Sequence, residues 1–236
     1  MGAYSGPEIV NNGLVLHLDA ANERSYPGSG TSWTDISGNS NIANTGTTNY
    51  SSNYNGAFTF SGDQNITCSG VPTGNTWSIL IWTANIGPTA FATVGHRTFA
   101  STDSMRFQWD ENLDTPTARG PFYNVGGTYA IHDNAFTPEF WFNRWHLVSA
   151  VGNGTTVNCY LNDNITCETP QNLSTNFSTN GNIMLGYNGL SGNGGVDAIN
   201  RDGGTVYISL TLIYNRALSA AELIQNYHAT KSRYNI

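Results

Sequence analysis

The stretch Ser209–Tyr227, SLTLIYNRALSAAELIQNY, holds two periodicities on either side of one turn. Up to Tyr214 it continues the alternating run TVYISLTLIYNR, which reads as a strand. Beyond Arg216 the pattern becomes helical. Ser219 precedes Ala220, Ala221 and Glu222, the spacing of a capping box in which the serine oxygen accepts from the Glu222 amide and Glu222 reaches back. Leu218 and Leu223 are spaced as a hydrophobic staple across that cap. Leu223, Ile224 and Tyr227 form one apolar stripe, and Lys231 and Arg233 fall near the negative helix end. The reading is a strand, a turn and a short helix near 219–231 that lies as a lid on whatever the strand belongs to.

The rest of the chain reads as strands. GLVLHLDA alternates over Leu14, Leu16 and Leu18 with His17 between them. GAFTFSG sets Phe58 and Phe60 on one face. WSILIWTANI sets Trp77, Ile79, Ile81 and Thr83 on one face and Leu80 and Trp82 on the other, the pattern of a strand covered on both sides. RTFASTD, MRFQWDE, GTYAIHD, RWHLVSAVG, TTVNCYLNDNITCET and GNIMLGYN extend the series, while NERSYPGSGTSWTDISGNSN reads as a long ordered loop. Many short strands separated by turn signals predict an all-β, two-sheet antiparallel sandwich closed by a C-terminal α-helix. Residues 1–12 form an N-terminal arm and 13–236 a single domain.

Composition narrows the function. Charged residues are 11% and aromatic residues 12% of the 236, so solubility rests on amides and hydroxyls while a core remains available. A net charge of −7 and one lysine, Lys231, argue against nucleic-acid binding. No run of 18 apolar residues predicts a membrane span. MGAYSGPEIV has neither the basic nor the apolar region of a signal peptide. Three cysteines make no disulfide framework. Cys159 and Cys167 flank an apparent hairpin: a three-residue loop would set their sulfurs opposite each other, a two-residue Asn162-Asp163 loop on opposite faces.

Several motifs together resemble a known family. IYNRALSAAEL (213–223) is similar to the closing motif of laminin-G-like domains of the concanavalin A-like lectin/glucanase superfamily. GLVLHLDAANERSYPGSGTSWTDISGN (13–39) resembles the opening of such domains in tailed-phage structural proteins. TWSILIW, RWHLVSAV and VNCYLNDN follow in the order of the family's inner strands. The resemblance implies a concanavalin A-like jelly-roll sandwich. It departs from the family at Leu80 and Leu210, where relatives often carry acidic residues.

Catalysis is not expected. The E-x-D-x-x-E string of the superfamily's glucanases is missing, and Asp110 and Glu111, as strand neighbours, would point to opposite faces. His17, His96, His132, His146 and His228 lack zinc-ligand spacing. Asp110, Glu111 and Asp114 in DENLD, and Asp197 and Asp202 in DAINRD, are the candidate metal ligands. Calcium is the cation such oxygen-rich loops suit, and cap and turn roles are the competing account. Trp141, Phe142, Trp109 and Tyr26 are the candidate ligand-binding aromatics, against core packing for each.

The resemblance implies a non-enzymatic virion component of a tailed phage, made in the host cytoplasm: a capsid decoration or head/tail accessory protein. Its partners would be other virion proteins or copies of itself, with residues 1–12 as the docking arm. The alternative is a carbohydrate-binding adhesin that recognises a host surface glycan.

Overall fold

The computed structural model describes residues 7–61, 64–71, 74–86, 92–96, 105–112, 117–125, 128–131, 143–167, 170–172, 183–186 and 205–236. Over 85–86, 92–96, 105–112, 117–125, 128–131 and at 171 it describes the backbone path. Among these residues two antiparallel sheets are built from strands numbered along the chain. The first contains β1 (Leu14–Asp19), β4 (Asn49–Ser51), β5 (Ala57–Phe60), β7 (Thr76–Ile86), β12 (Trp145–Asn153), β13 (Thr156–Leu161), β14 (Gln171–Asn172) and β16 (Thr205–Tyr214). Its order is β14-β13-β12-β7-β16-β5-β4, with β1 also paired to β16. The second contains β2 (Ser32–Thr34), β3 (Ile42–Asn44), β6 (Asn65–Cys68), β8 (Ala92–His96), β9 (Met105–Asn112), β10 (Thr117–Val125), β11 (Thr128–Ile131) and β15 (Ile183–Gly186). Its order is β11-β10-β9-β8-β15-β6-β3-β2. The architecture is the expected jelly-roll sandwich with one C-terminal helix, α1 (Ala220–Thr230).

The first sheet is apolar on both faces, as the sequence of β7 requires. Trp77, Ile79 and Ile81 join Trp33, Phe58, Phe60, Ile66 and Leu185 in the core between the sheets. Leu80 and Trp82 join Leu147, Leu210, Leu212 and Tyr214 in a second cluster on the outer face, under Leu218, Leu223, Tyr227 and Tyr234. Leu80 and Leu210, where the sequence departs from the pattern it resembles, are therefore part of the apolar packing under the helix.

Strand β16 serves both clusters because it is bulged. Opposite β7 its register shifts between Ile208 and Leu210, so Ser209 is the extra residue. Val206 and Ile208 face the inter-sheet core, and beyond the bulge Ile213 does so while Leu210, Leu212 and Tyr214 face the helix. A bulge reverses the parity of a strand, and its freed polar groups need partners. Here the Ser209 carbonyl accepts from the Ala20 amide at 2.8 Å, and its hydroxyl donates to the Gly56 carbonyl at 2.8 Å. A second irregularity, between Leu14 and Leu16 in β1, corrects the sequence reading. Leu16 and Leu18 face the inter-sheet core, but Leu14 packs on the helix side.

The helix starts as its sequence dictates. The Ser219 amide donates to Glu222 Oε2 at 2.8 Å and the Glu222 amide donates to Ser219 Oγ at 3.4 Å. Arg216 adds two bonds to the Glu222 carboxylate, at 2.6 and 2.9 Å, which hold the carboxyl down at about 2. The buried stripe is Leu223, Asn226, Tyr227 and Thr230; Asn226 occupies the place that periodicity assigned to Ile224. After one 3-10 turn (Lys231–Tyr234), Tyr234 stacks on Trp82 with ring centroids 4.1 Å apart. The Trp82 indole N–H donates to Thr230 Oγ1 at 2.7 Å.

Residues 8–12, read as the end of a docking arm, run along this helix. The Val10 amide donates to Asn226 Oδ1 at 2.8 Å, and Tyr214 donates its hydroxyl proton to the Val10 carbonyl at 2.9 Å. Gln225 Nε2 donates to the Glu8 carbonyl at 2.8 Å. Ile9 and Val10 pack into the helix-side cluster.

Candidate functional site

The carboxylates best fixed by the fold are structural. Asp35, 5% exposed, accepts from the His17 amide at 2.8 Å, the Ser37 amide at 2.8 Å, the Ser37 hydroxyl at 2.9 Å and Asn41 Nδ2 at 2.7 Å. One side chain thus shapes the loop TDISGNSN around itself, the usual work of an aspartate at the head of a turn. Asp19 forms a two-pronged pair with Arg233, at 2.6 and 2.8 Å, joining the first long strand to the final turn. Sequence reasoning passed over both. The signal for Asp35 was its spacing to Ser37; nothing local announced Arg233, 214 residues from its partner.

The aromatic and acidic candidates divide. Tyr26 is corrected: it is 5% exposed, packs on Phe58 at 4.7 Å and Tyr50 at 4.9 Å, and donates its hydroxyl to the Gly30 carbonyl at 2.9 Å. Its ring is a wall of the core, and a ligand would have to displace that packing. Trp109 lies in β9, opposite Ala92. It stands two positions from Phe107, which aligns through Val94 with buried Leu185. The pleat therefore places Trp109 on the inner face of its sheet. Asp110 and Glu111 stand in β9 rather than in a loop, opposite Arg119 and Ala118, and as neighbours they alternate faces. Trp141, Phe142, Asp114, Asp197 and Asp202 lie outside the described residues. Among the described residues no group of three or more histidine, cysteine, aspartate or glutamate side chains converges as metal ligands would.

The cysteine hairpin takes the two-residue form. Leu161 bridges Asn164 across Asn162-Asp163, with Asn162 in the left-handed region at φ 56°. The chain then leaves the ladder, and Cys167 Sγ accepts from the Cys159 amide at 3.4 Å; no disulfide joins them.

The two sheets differ in what covers their outer faces. Helix α1 lies on the first. Among the described elements no helix lies on the second, and its register defines a row across all eight strands. Ser32 stands opposite Asn44, Asn44 opposite Thr67, and Thr67 opposite Met184. Met184 stands opposite Gly95, Gly95 opposite Arg106, Arg106 opposite Asn124, and Asn124 opposite Tyr129. The alternating residues Ala43, Ile66, Cys68, Ile183 and Leu185 are buried between the sheets, so the row belongs to the outer face. Ser32, Asn44 and Thr67 are exposed; Met184 is 8% exposed. Seven strand spacings make the row about 34 Å long. The exposed hydroxyl and amide groups of Ser32, Asn44 and Thr67 are suited to hydrogen-bonding a polar ligand laid across the strands.

No protein-family model matches the chain, and no curated protein matches it. Solved structures do. Trypanosoma rangeli sialidase in complex with sialic acid aligns over 95% of this chain and 34% of its own, at 13% identity and a TM-score of 0.62. The botulinum neurotoxin serotype D ligand binding domain in complex with N-acetylneuraminic acid aligns over 94% and 52%, at 13% identity and TM-score 0.59. The botulinum neurotoxin type G receptor binding domain aligns over 92% and 51%, at 16% identity and TM-score 0.57. The chain thus spans between a third and about half of the structures it matches. At these identities the likeness speaks for the fold alone, a two-sheet, concanavalin A-like β-sandwich.

Proposed function

We propose that the protein is a carbohydrate-binding, lectin-like module. The observation that carries this reading is the eight-strand row on the outer face of the second sheet, with hydroxyl and amide residues exposed at its β2-β3-β6 end. Sugars are recognised by such groups together with apolar faces for their C–H surfaces. The fold likeness adds weight, since two of the matched structures hold sialic acid or N-acetylneuraminic acid. The test is a glycan array probed with purified protein, first with calcium and then with chelator. Reproducible saccharide binding is the expected result, and loss on chelation would assign a metal role to Asp110, Glu111, Asp114, Asp197 or Asp202. A blank array under both conditions refutes the reading.

A second reading, the virion decoration or head/tail accessory protein, rests on the resemblance of residues 13–39 to phage structural proteins. Much of that stretch has an architectural explanation: Asp35 builds its loop and Asp19 holds the final turn. It therefore ranks second. Its test is particle attachment after removal of residues 1–6, which leaves the Val10–Asn226 contact in place; attachment retained without those residues defeats the arm mechanism.

A further inference from the structure

We propose that Cys159 and Cys167 are a redox-modification site, which peroxide closes to an intramolecular disulfide that staples the chain after the hairpin to the edge of β13. The inference is independent of the carbohydrate reading and rests on where the hairpin sends its second cysteine. Asn162-Asp163 makes the turn, and Leu161 bridges Asn164. Had the ladder continued from there, Cys159 would stand opposite Thr166, and Cys167 would point to the other face. It does not continue. Residues 165–167 belong to no strand, and Cys167 comes back to Cys159. Its sulfur accepts from the Cys159 amide at 3.4 Å, where a neighbouring strand would supply a carbonyl.

That contact bounds the distance to be closed. The N–Cα bond adds about 1.5 Å, so Cys167 Sγ lies within about 5 Å of Cys159 Cα. In a formed bridge the partner sulfur stands roughly 4 Å from that Cα, by the bond lengths of a disulfide. Closure therefore needs a turn of the Cys159 side chain and movement on the order of 1 Å. The segment that has to move is the one outside the ladder, where Ile165 is 39% exposed. Exposure divides the roles. Cys167 is partly exposed and meets the oxidant, while Cys159 is fully buried and resolves the product. The Cys167 sulfur attacks one peroxide oxygen, the O–O bond breaks, water leaves and a sulfenic acid remains. The Cys159 sulfur then attacks Cys167 Sγ, the S–O bond breaks, and a second water carries off the remaining thiol proton. Two thiols lose two electrons as one peroxide is reduced to two waters. The third thiol, Cys68, lies in β6 of the other sheet at 2% exposure. Burial, with Asp35 adding to it, pushes that thiol up to about 12, so it stays protonated and inert.

The experiment treats the whole, reduced protein with a small excess of hydrogen peroxide, then unfolds it, counts thiols and maps tryptic peptides by mass. Both cysteines lie between Arg144 and Arg201 with no lysine or arginine in between, so they share one peptide, apart from Cys68. The expected result is a fall from three thiols to one in a protein that stays monomeric on a non-reducing gel. The shared peptide should be lighter by two hydrogen atoms, and dithiothreitol should restore all three thiols. Cys159→Ser should leave Cys167 as a sulfenic acid that dimedone captures. Cys167→Ser should leave both remaining thiols unreacted. The peptide map uses the unaltered protein, so it decides the question even if a variant fails to fold. Retention of three thiols overturns the proposal. So does oxidation of Cys167 that spares Cys159, or a dimer linked through Cys167.

Discussion

Asn226 is the side chain on which the N-terminal segment and the helix depend together, and Asn226→Ala is the perturbation that exposes it. The residue is fully buried; its Oδ1 accepts from the Val10 amide at 2.8 Å and its Nδ2 donates to the Tyr214 hydroxyl at 3.1 Å. Removal leaves the Val10 N–H without an acceptor in a buried place, which costs about 1–3 kcal/mol. Loss of the bond to Tyr214 adds about 0.5–1.5 kcal/mol, the smaller share because that hydroxyl keeps the Val10 carbonyl at 2.9 Å. The expected destabilisation is therefore about 2–4 kcal/mol. In a domain of this size that lowers Tm by roughly 5–15 °C. Urea denaturation should show it, and hydrogen exchange at the Val10 amide should accelerate. Gln225→Ala, which loses only the exposed bond to Glu8, should stay within about 0.5 kcal/mol. If Asn226→Ala costs less than about 0.5 kcal/mol and Val10 exchange is unchanged, the reasoning is refuted: apolar burial of Ile9 and Val10 alone would then hold the segment.

Two further outcomes follow from the same packing. Gly152→Ala would place a Cβ 2.6 Å from the ring of Trp77, which is fully buried and cannot yield. We expect a loss of stability of about 1–3 kcal/mol, read as a lower urea midpoint, and a neutral result would mean that β12 can shift away from β7. Acid stability should depend on Glu222, whose carboxyl is held from its ordinary 4.5 down to about 2, first by the bonds from Arg216 and then by the Ser219 amide. A depressed carboxylate contributes stability above its unfolded pKa, and that contribution is lost as pH falls from about 4.5 to about 2. Glu222→Gln should flatten the melting-temperature profile across that window, and parallel profiles for both proteins would contradict the assignment.

What the chain displays of its own fold follows physical range. The capping box, the staple and the two-faced pattern of β7 are local, and each appears in the structure where its residues predict it. Seven strands were not read from the sequence: β2, which lies inside the stretch read as a long loop, and β3, β4, β6, β8, β10 and β14, most of them two to five residues long. β8 carries Gly95, and β10 contains Gly120 and Pro121, residue types that interrupt a strand pattern. In β10 the register shifts between Arg119 and Phe122, and a bulge is where a sheet tolerates a proline. The parity change at Ser209 and the core position of Tyr26 were hidden because both depend on partners distant in sequence, Ala20 and Gly56 for one and Tyr50 and Phe58 for the other. The candidate site was the least legible. Its row draws one residue from each of eight strands, and only the assembled register brings Thr67, Gly95, Arg106 and Asn124 into line.

The contact between residues 8–10 and α1 gives the molecule a front and a back. Glu8 and Val10 meet the helix at Gln225 and Asn226, and Tyr234 seals the same side against Trp82, so the first and last described segments both sit on the outer face of the first sheet. The row from Ser32 to Tyr129 lies on the opposite side of the sandwich. A carrier joined at either end would therefore grip the helical back and turn the outer face of the second sheet outward, away from itself.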